Sequence, residues 1–220
     1  MSDSELVDTR EQVAAVCRDL AGAGLVIGTA GNVSARCGQA VAISTTGLRL
    51  AEASADTISV VDLDGTRIAG QYAPTSELDL HLSVYRSTDA GAVVHAHSSG
   101  AVALSLVSDS LPPVHYQQLA LGGAVPVVPY ATFGSRELAA GTAEALGAHT
   151  AAILAHHGSV TRGADLAGAV EALELLEWLC QIYLTASAAR GGRPPESLTD
   201  EQLADVVQAV VAKGYGVMRE

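Results

Sequence analysis

Val93-Val94-His95-Ala96-His97-Ser98 is the stretch on which the reading of this chain turns. Two β-branched residues ahead of the first histidine predict an extended backbone, and in a strand residues two apart project to the same face. His95 and His97 then stand side by side, where one divalent ion can touch both. On a helix the same pair would diverge by about 200°, so the metal reading depends on the strand. Ala151-Ala152-Ile153-Leu154-Ala155 is another short apolar run that reads as a buried strand, and it ends in His156-His157-Gly158. If the two strands lie side by side, three imidazoles converge, which suits Zn²⁺ and leaves a coordination position open for substrate. The competing reading is polar residues at strand ends with no ion between them.

Working outward, Leu6 to Leu20 reads as a covering helix, with Val13, Val16, Cys17 and Leu20 on one face and Gly22 and Gly24 as a stop. Gly28-Thr29-Ala30-Gly31-Asn32-Val33-Ser34 follows, and its small residues allow tight turns whose N–H groups converge on an anion or simply turn the chain. Val41 to Ser44 reads as a strand running into a second hydroxyl-rich loop, Ser44-Thr45-Thr46-Gly47. Ile58 to Leu63 and Thr66 to Ala69, joined through Asp64-Gly65, predict a hairpin. A helix is expected from Pro74-Thr75-Ser76-Glu77, capped by Thr75 or Ser76, with Leu78, Leu80 or His81, and Tyr85 recurring along it. That places Glu77 in the first turn, either as a carboxylate complementing the helix dipole or, if the helix start faces the histidines, as a metal ligand or base. His81, one turn on, reads as a packed structural histidine.

Ser98 to Val107 predicts a buried helix, and Pro112-Pro113-Val114-His115-Tyr116 and Pro126-Val127-Val128-Pro129-Tyr130 predict short strands. Ser135 caps a helix ending near Gly147, and Asp165 caps a long one reaching about Ala189. Thr199 with Gln202 marks the start of a last helix, running into Gly214-Tyr215-Gly216. Mixed elements with hairpin connections predict one domain over residues 1–220, of the α/β class. Its expected form is a three-layer α/β/α arrangement around a mixed, mainly antiparallel sheet. No Gly-x-Gly-x-x-Gly follows a strand, which argues against a doubly wound nucleotide fold.

Composition narrows the function. With 49% hydrophobic residues in 220, the chain can bury a sizeable core. A formal charge of −12 with scattered arginines argues against a nucleic-acid partner. Cys17, Cys37 and Cys180 are odd in number and contain no Cys-x-x-Cys, and no apolar run reaches the roughly 18 residues of a membrane span, so a cytoplasmic, reducing setting is expected. The only lysine is Lys213, at a polar chain end. Schiff-base chemistry needs a lysine buried enough to lose its proton, so any carbonyl chemistry here is expected to use a metal as electrophile.

Taken in this order and spacing, Gly28 to Ser34, Ser76-Glu77, His95-Ala96-His97 and His156-His157-Gly158 resemble the class II, zinc-dependent sugar-phosphate aldolases of the aldolase/adducin fold. The resemblance runs from about Leu6 to Gly216 and includes Val114-His115-Tyr116, Gly122-Gly123 and Tyr130 to Leu138. It implies that His95, His97 and His157 hold Zn²⁺, with Glu77 as fourth ligand in the resting site and as acid/base when substrate displaces it. His156 is then a supporting residue. It implies a phosphate cradle of Thr29, Asn32, Thr46, Gly47, Thr75 and Ser76, and Tyr116 as a second proton-transfer group reaching in from a neighbouring subunit of a cyclic homotetramer. The implied reaction splits a ketose 1-phosphate, such as L-fuculose 1-phosphate, into dihydroxyacetone phosphate and a short aldehyde such as lactaldehyde. The metal stabilises the enediolate left behind. Within the same family, the alternatives are a 5-deoxyribulose 1-phosphate aldolase, a pentulose-phosphate 4-epimerase and a methylthioribulose-phosphate dehydratase. A non-catalytic scaffold of the adducin kind predicts eroded ligands, whereas all three histidines and Glu77 are present. The resemblance also implies two aromatic residues over the aldehyde pocket near the C-terminus, where this sequence has Tyr215 and Ala212.

Overall fold

The computed structural model describes residues 3–213 and organises them around a single nine-stranded sheet. Helix α1 (Asp3–Gly22) leads into β1 (Asn32–Cys37), β2 (Ala40–Ser44), β3 (Ile58–Asp62) and β4 (Arg67–Ala69). Next come α2 (Leu78–Ser87), β5 (Ala92–Ala96), α3 (Ser99–Ser105), β6 (Ser110–Leu111) and β7 (Val125–Val128). The chain then forms α4 (Arg136–Ala148), β8 (Ala151–Leu154), β9 (Gly158–Gly163), α5 (Leu166–Ala189) and α6 (Asp200–Lys213). The strand order is β4-β3-β2-β1-β5-β9-β8-β7-β6, antiparallel throughout except for β7 on β8. This is the mixed, mainly antiparallel sheet expected from the sequence.

Helices cover both faces. Ala92, Val94 and Ala96 of β5 pack with Val13, Cys17 and Leu20 of α1 and Leu173 of α5, while Val93 packs with Leu80, Leu82 and Val84 of α2. On β8 the alternation repeats, Ala151 and Ile153 meeting α3 and α5, and Ala152 and Leu154 meeting the α2–α4 side. Strands buried on both faces need apolar residues at every position, which is why both runs read as continuous. By the same parity His95 shares the face of Val93, on the side where α2 begins.

Several expectations need correction. The strands ending in His95-Ala96-His97 and His156-His157 are not neighbours: β9 lies between β8 and β5, pairing His95 with Val160 and Ala96 with Ser159. His157 reaches the first two histidines because β8 turns through it into β9. Pro112 to Tyr116 is not a strand, since two successive prolines cannot supply ladder N–H groups; only Ser110 and Leu111 pair, and a 3₁₀ turn starts at Tyr116. Glu77 is the residue before the first turn of α2, and no side chain caps that helix. The Asp62–Arg67 hairpin, the Ser135 and Asp165 caps and the reciprocal Thr199–Gln202 bonds are as expected. Tyr215 lies outside the described residues, and Ala212 sits on α6 with no part in the cleft described below.

Candidate metal centre and active site

Three imidazoles and one carboxylate meet where β5, the β8–β9 turn and the start of α2 converge. His95, His97, His157 and Glu77 each offer one ligand atom, all within 4.8 Å of one another. The Nε2 atoms of His95 and His97 are 3.0 Å apart, Glu77 Oε2 is 3.1 Å from His95 Nε2, and Glu77 Oε1 is 3.4 Å from His157 Nε2. A tetrahedral ion with bonds of about 2.0–2.1 Å sets its ligands about 3.3 Å apart, close to these three separations.

Hydrogen-bond arithmetic points the same way. His95 Nδ1 lies 2.9 Å from the Ser159 carbonyl, which can only accept, so Nδ1 carries the proton and Nε2 presents a lone pair. That lone pair faces the Glu77 carboxylate and the His97 ring nitrogen. Burial drives His97 down to about 4 and lowers His157 as well, with the charge of His95 pushing the same way and Glu77 opposing. Neutral imidazoles are the form that binds metal. Burial alone would raise the Glu77 pKa. When His95 Nε2 carries a proton in place of a metal ion, its hydrogen bond and charge, with the Asn32 amide and His157, outweigh burial and hold the carboxyl at about 2. Glu77 Oε1 is buried without a hydrogen-bond partner. An inward-facing set of lone pairs around a buried carboxylate is stable only with a cation or protons among them.

A cleft of about 300 Å³ opens from this cluster. Thr29, Asn32, Thr46, Gly47, Thr75 and Ser76 all line it, together with Glu77, His97 and His157. Gly31 brings the first loop in: its φ is +95°, and a Cβ there would lie 2.9 Å from the His95 carbonyl oxygen. The Thr46 amide is bonded to the Ala73 carbonyl, and the Thr75 hydroxyl accepts the Glu77 amide, so these loops offer a mixture of spoken-for and outward groups. Among the described residues, no lysine or arginine lines the cleft. An anion there would be held by hydroxyls, amides and the positive end of α2 rather than by a formal charge.

Tyr116 is elsewhere. It lines a groove with Val206, Ala209, Val210 and Lys213 of α6 and is 38% exposed. Sequence reasoning singled out the loops that hold Thr45, Tyr130, Ala131 and Phe133 but gave these cleft-lining residues no individual role, and left His156 as a support; its ring lies edge-on to Tyr130, and its backbone amide donates to Ser105 Oγ. It also left out the links of His81, which is fully buried between Asn32 Oδ1 and Ser34 Oγ.

With this geometry in place, a sequence model of the Class II Aldolase and Adducin N-terminal domain matches residues 11–184. The chain belongs to that family. It is 37% identical over 211 residues to the L-fuculose phosphate aldolase of Escherichia coli K12, covering 95% of this chain and 96% of that one. It is 33% identical over 210 residues to the 5-deoxy-D-ribulose 1-phosphate aldolase of Bacillus thuringiensis serovar kurstaki, covering 94% and 96%. A solved L-fuculose 1-phosphate aldolase superposes with a TM-score of 0.86 at 30% identity, covering 96% of this chain and 98% of its own. The solved aldolase thus shares the fold over nearly the full length of the chain. No helix among the described residues is long and apolar enough to cross a membrane.

Proposed function

We propose that this chain is a zinc-dependent aldolase of one domain, residues 1–220, that cleaves a ketose 1-phosphate to dihydroxyacetone phosphate and a short aldehyde. The preferred substrate is L-fuculose 1-phosphate, as in the name of the Escherichia coli relative, with 5-deoxyribulose 1-phosphate next. The observation that carries the reading is the continuity of the four-ligand cluster with a hydroxyl-lined cleft that, among the described residues, no lysine or arginine lines.

His95, His97, His157 and Glu77 are the ligands, and a set of three imidazole nitrogens with one carboxylate oxygen favours Zn²⁺. The ion supplies Lewis-acid withdrawal of the negative charge that develops on oxygen as the carbon–carbon bond breaks. Thr29, Asn32, Thr46, Gly47, Thr75 and Ser76, which line the cleft beside the ligands, hold the phosphate. Glu77, ionised in the resting protein, would take and return the proton at the carbon of the phosphate-bearing fragment. Tyr116 handles the proton of the hydroxyl that becomes the aldehyde. Its place away from its own chain's cleft suits donation into the cleft of a neighbouring copy, in line with the cyclic homotetramer that the family resemblance implies. Three free, buried cysteines suit a cytoplasmic setting.

The test is product analysis. Incubation of the zinc-loaded protein with L-fuculose 1-phosphate, and separately with 5-deoxyribulose 1-phosphate, should release dihydroxyacetone phosphate, read by a coupled reductase. Conversion of either sugar without that product, by epimerisation or dehydration, would contradict the assignment.

A further inference from the structure

We infer that Tyr85, Ser34, His81 and Asn32 form a one-way hydrogen-bond chain that fixes the side-chain amide of Asn32 and thereby aims the Glu77 carboxylate at the three imidazoles. The inference rests on Glu77 being a ligand, as proposed above. Its origin is a match of two periods. Glu77, His81 and Tyr85 recur every four residues at the start of and along α2, while Asn32 and Ser34 alternate along β1 on the face that pairs with His95 and Val93. The helix therefore lays His81 between the two strand residues. All four groups are buried: Ser34 and His81 at 0% exposure, Tyr85 at 3% and Asn32 at 4%.

The direction follows from what each end can do. Asn32 Nδ2 donates to Glu77 Oε2 at 3.1 Å; the reverse orientation would set a carbonyl oxygen against a carboxylate. Asn32 Oδ1 thus faces His81 Nε2, which must carry the proton. In a neutral imidazole Nδ1 is then an acceptor, and Ser34 Oγ, 2.7 Å away, must donate to it. That uses the only hydroxyl hydrogen of Ser34, so Tyr85, 2.8 Å from Ser34 Oγ, donates in turn. Complete burial keeps His81 neutral and the Tyr85 hydroxyl protonated, so both groups stay in the required state. A core that only needed filling would hold apolar side chains here, and a polar string survives burial only if every member is satisfied. Every member is satisfied, and the string ends on the ligand carboxylate.

The decisive readout is the tautomer of His81, from side-chain ¹⁵N resonances of the zinc-loaded and the zinc-free protein. The expected result is a single Nε2–H imidazole in both. Ser34→Ala should leave His81 Nδ1 without its donor, loosen the ring against Asn32 and weaken Zn²⁺ binding by about 10- to 100-fold, the usual effect of losing a partner behind a ligand. Tyr85→Phe, which leaves the Ser34 hydroxyl in place, should keep the tautomer. The double variant Ser34→Ala/Asn32→Ala should bind Zn²⁺ no more weakly than Asn32→Ala alone, because both act through one amide. An Nδ1–H tautomer in the unmodified protein, unchanged Zn²⁺ affinity in Ser34→Ala, or additive losses would overturn the inference. If Ser34→Ala does not fold, the tautomers of the unmodified protein and Tyr85→Phe still decide. None of these measurements depends on which sugar phosphate is cleaved, so failure of the substrate assignment shows up separately.

Discussion

Glu77 and Glu177 are the same residue, each 6% exposed, in opposite circumstances. Glu177, on α5, reaches the open end of α3: its Oε1 accepts from the Gly100 amide at 2.8 Å and from Gln181 Nε2 at 3.0 Å, and its Oε2 accepts from the Ala101 amide at 3.1 Å. Its charge is spent on a helix terminus, closing donors that would otherwise be buried unpaired. Glu77 stands at the start of a helix and does not cap it; one amide donates to its Oε2, which also faces His95, and its Oε1 faces His157. A buried carboxylate is thus read by its donors: amides of a neighbouring helix make it structural, and a ring of ring nitrogens makes it reactive.

That contrast can be broken by substitution. The largest effect is expected from His97→Ala, which should release zinc and reduce turnover to background, checked by metal content and dihydroxyacetone phosphate release. Glu77→Gln should keep zinc bound through the histidines and lose about 10²- to 10⁴-fold in turnover, the usual worth of a positioned acid/base; full activity would remove Glu77 from proton transfer. Glu177→Gln should do the reverse, lowering stability by about 1–3 kcal/mol through donors left poorly paired at α3, with turnover per zinc-loaded molecule retained. A denaturant melt beside a metal titration separates the two. Tyr116→Phe should slow turnover with little change in KM, and an unchanged rate would exclude it from the reaction.

The smallest effect is a pH slope. His81 is lowered to about 3 by burial and the charge of His95, against Glu77, and His97 to about 4. Both bind a proton more readily when unfolded, near the ordinary value of about 6.5. Their contribution is therefore full above that value and is lost as pH falls from it through the lowered ones. The zinc-free protein should melt at progressively lower temperature across that window, and His81→Gln should flatten the slope.

Much of this was legible in the sequence, and the gaps have physical causes. Val93-Val94-His95-Ala96-His97 announced its strand because both faces are covered, and the helix caps at Ser135, Asp165 and Thr199 were readable from local chemistry. Strand β9, which sets His157 in place, was not. It contains one large aliphatic residue, Val160, and starts at Gly158, where a Cβ would meet the Ala96 carbonyl oxygen at 2.3 Å. The close approach that locates His157, the proposed metal ligand, is what removes the hydrophobic signal. Strand β1, Asn-Val-Ser-Ala-Arg-Cys, was hidden because its inward polar residues are satisfied by α2, a match between a period of two and one near four across more than forty residues. For Glu77 the position was readable but its orientation was not, since a carboxylate at a helix start ordinarily serves the dipole.

The most direct test is to strip the protein of metal, measure how much zinc it takes back per chain, and follow dihydroxyacetone phosphate release during the titration. One zinc per chain, with turnover absent in the stripped protein and rising in step with occupancy, is the predicted result. Undiminished turnover in protein shown to hold no metal would contradict it.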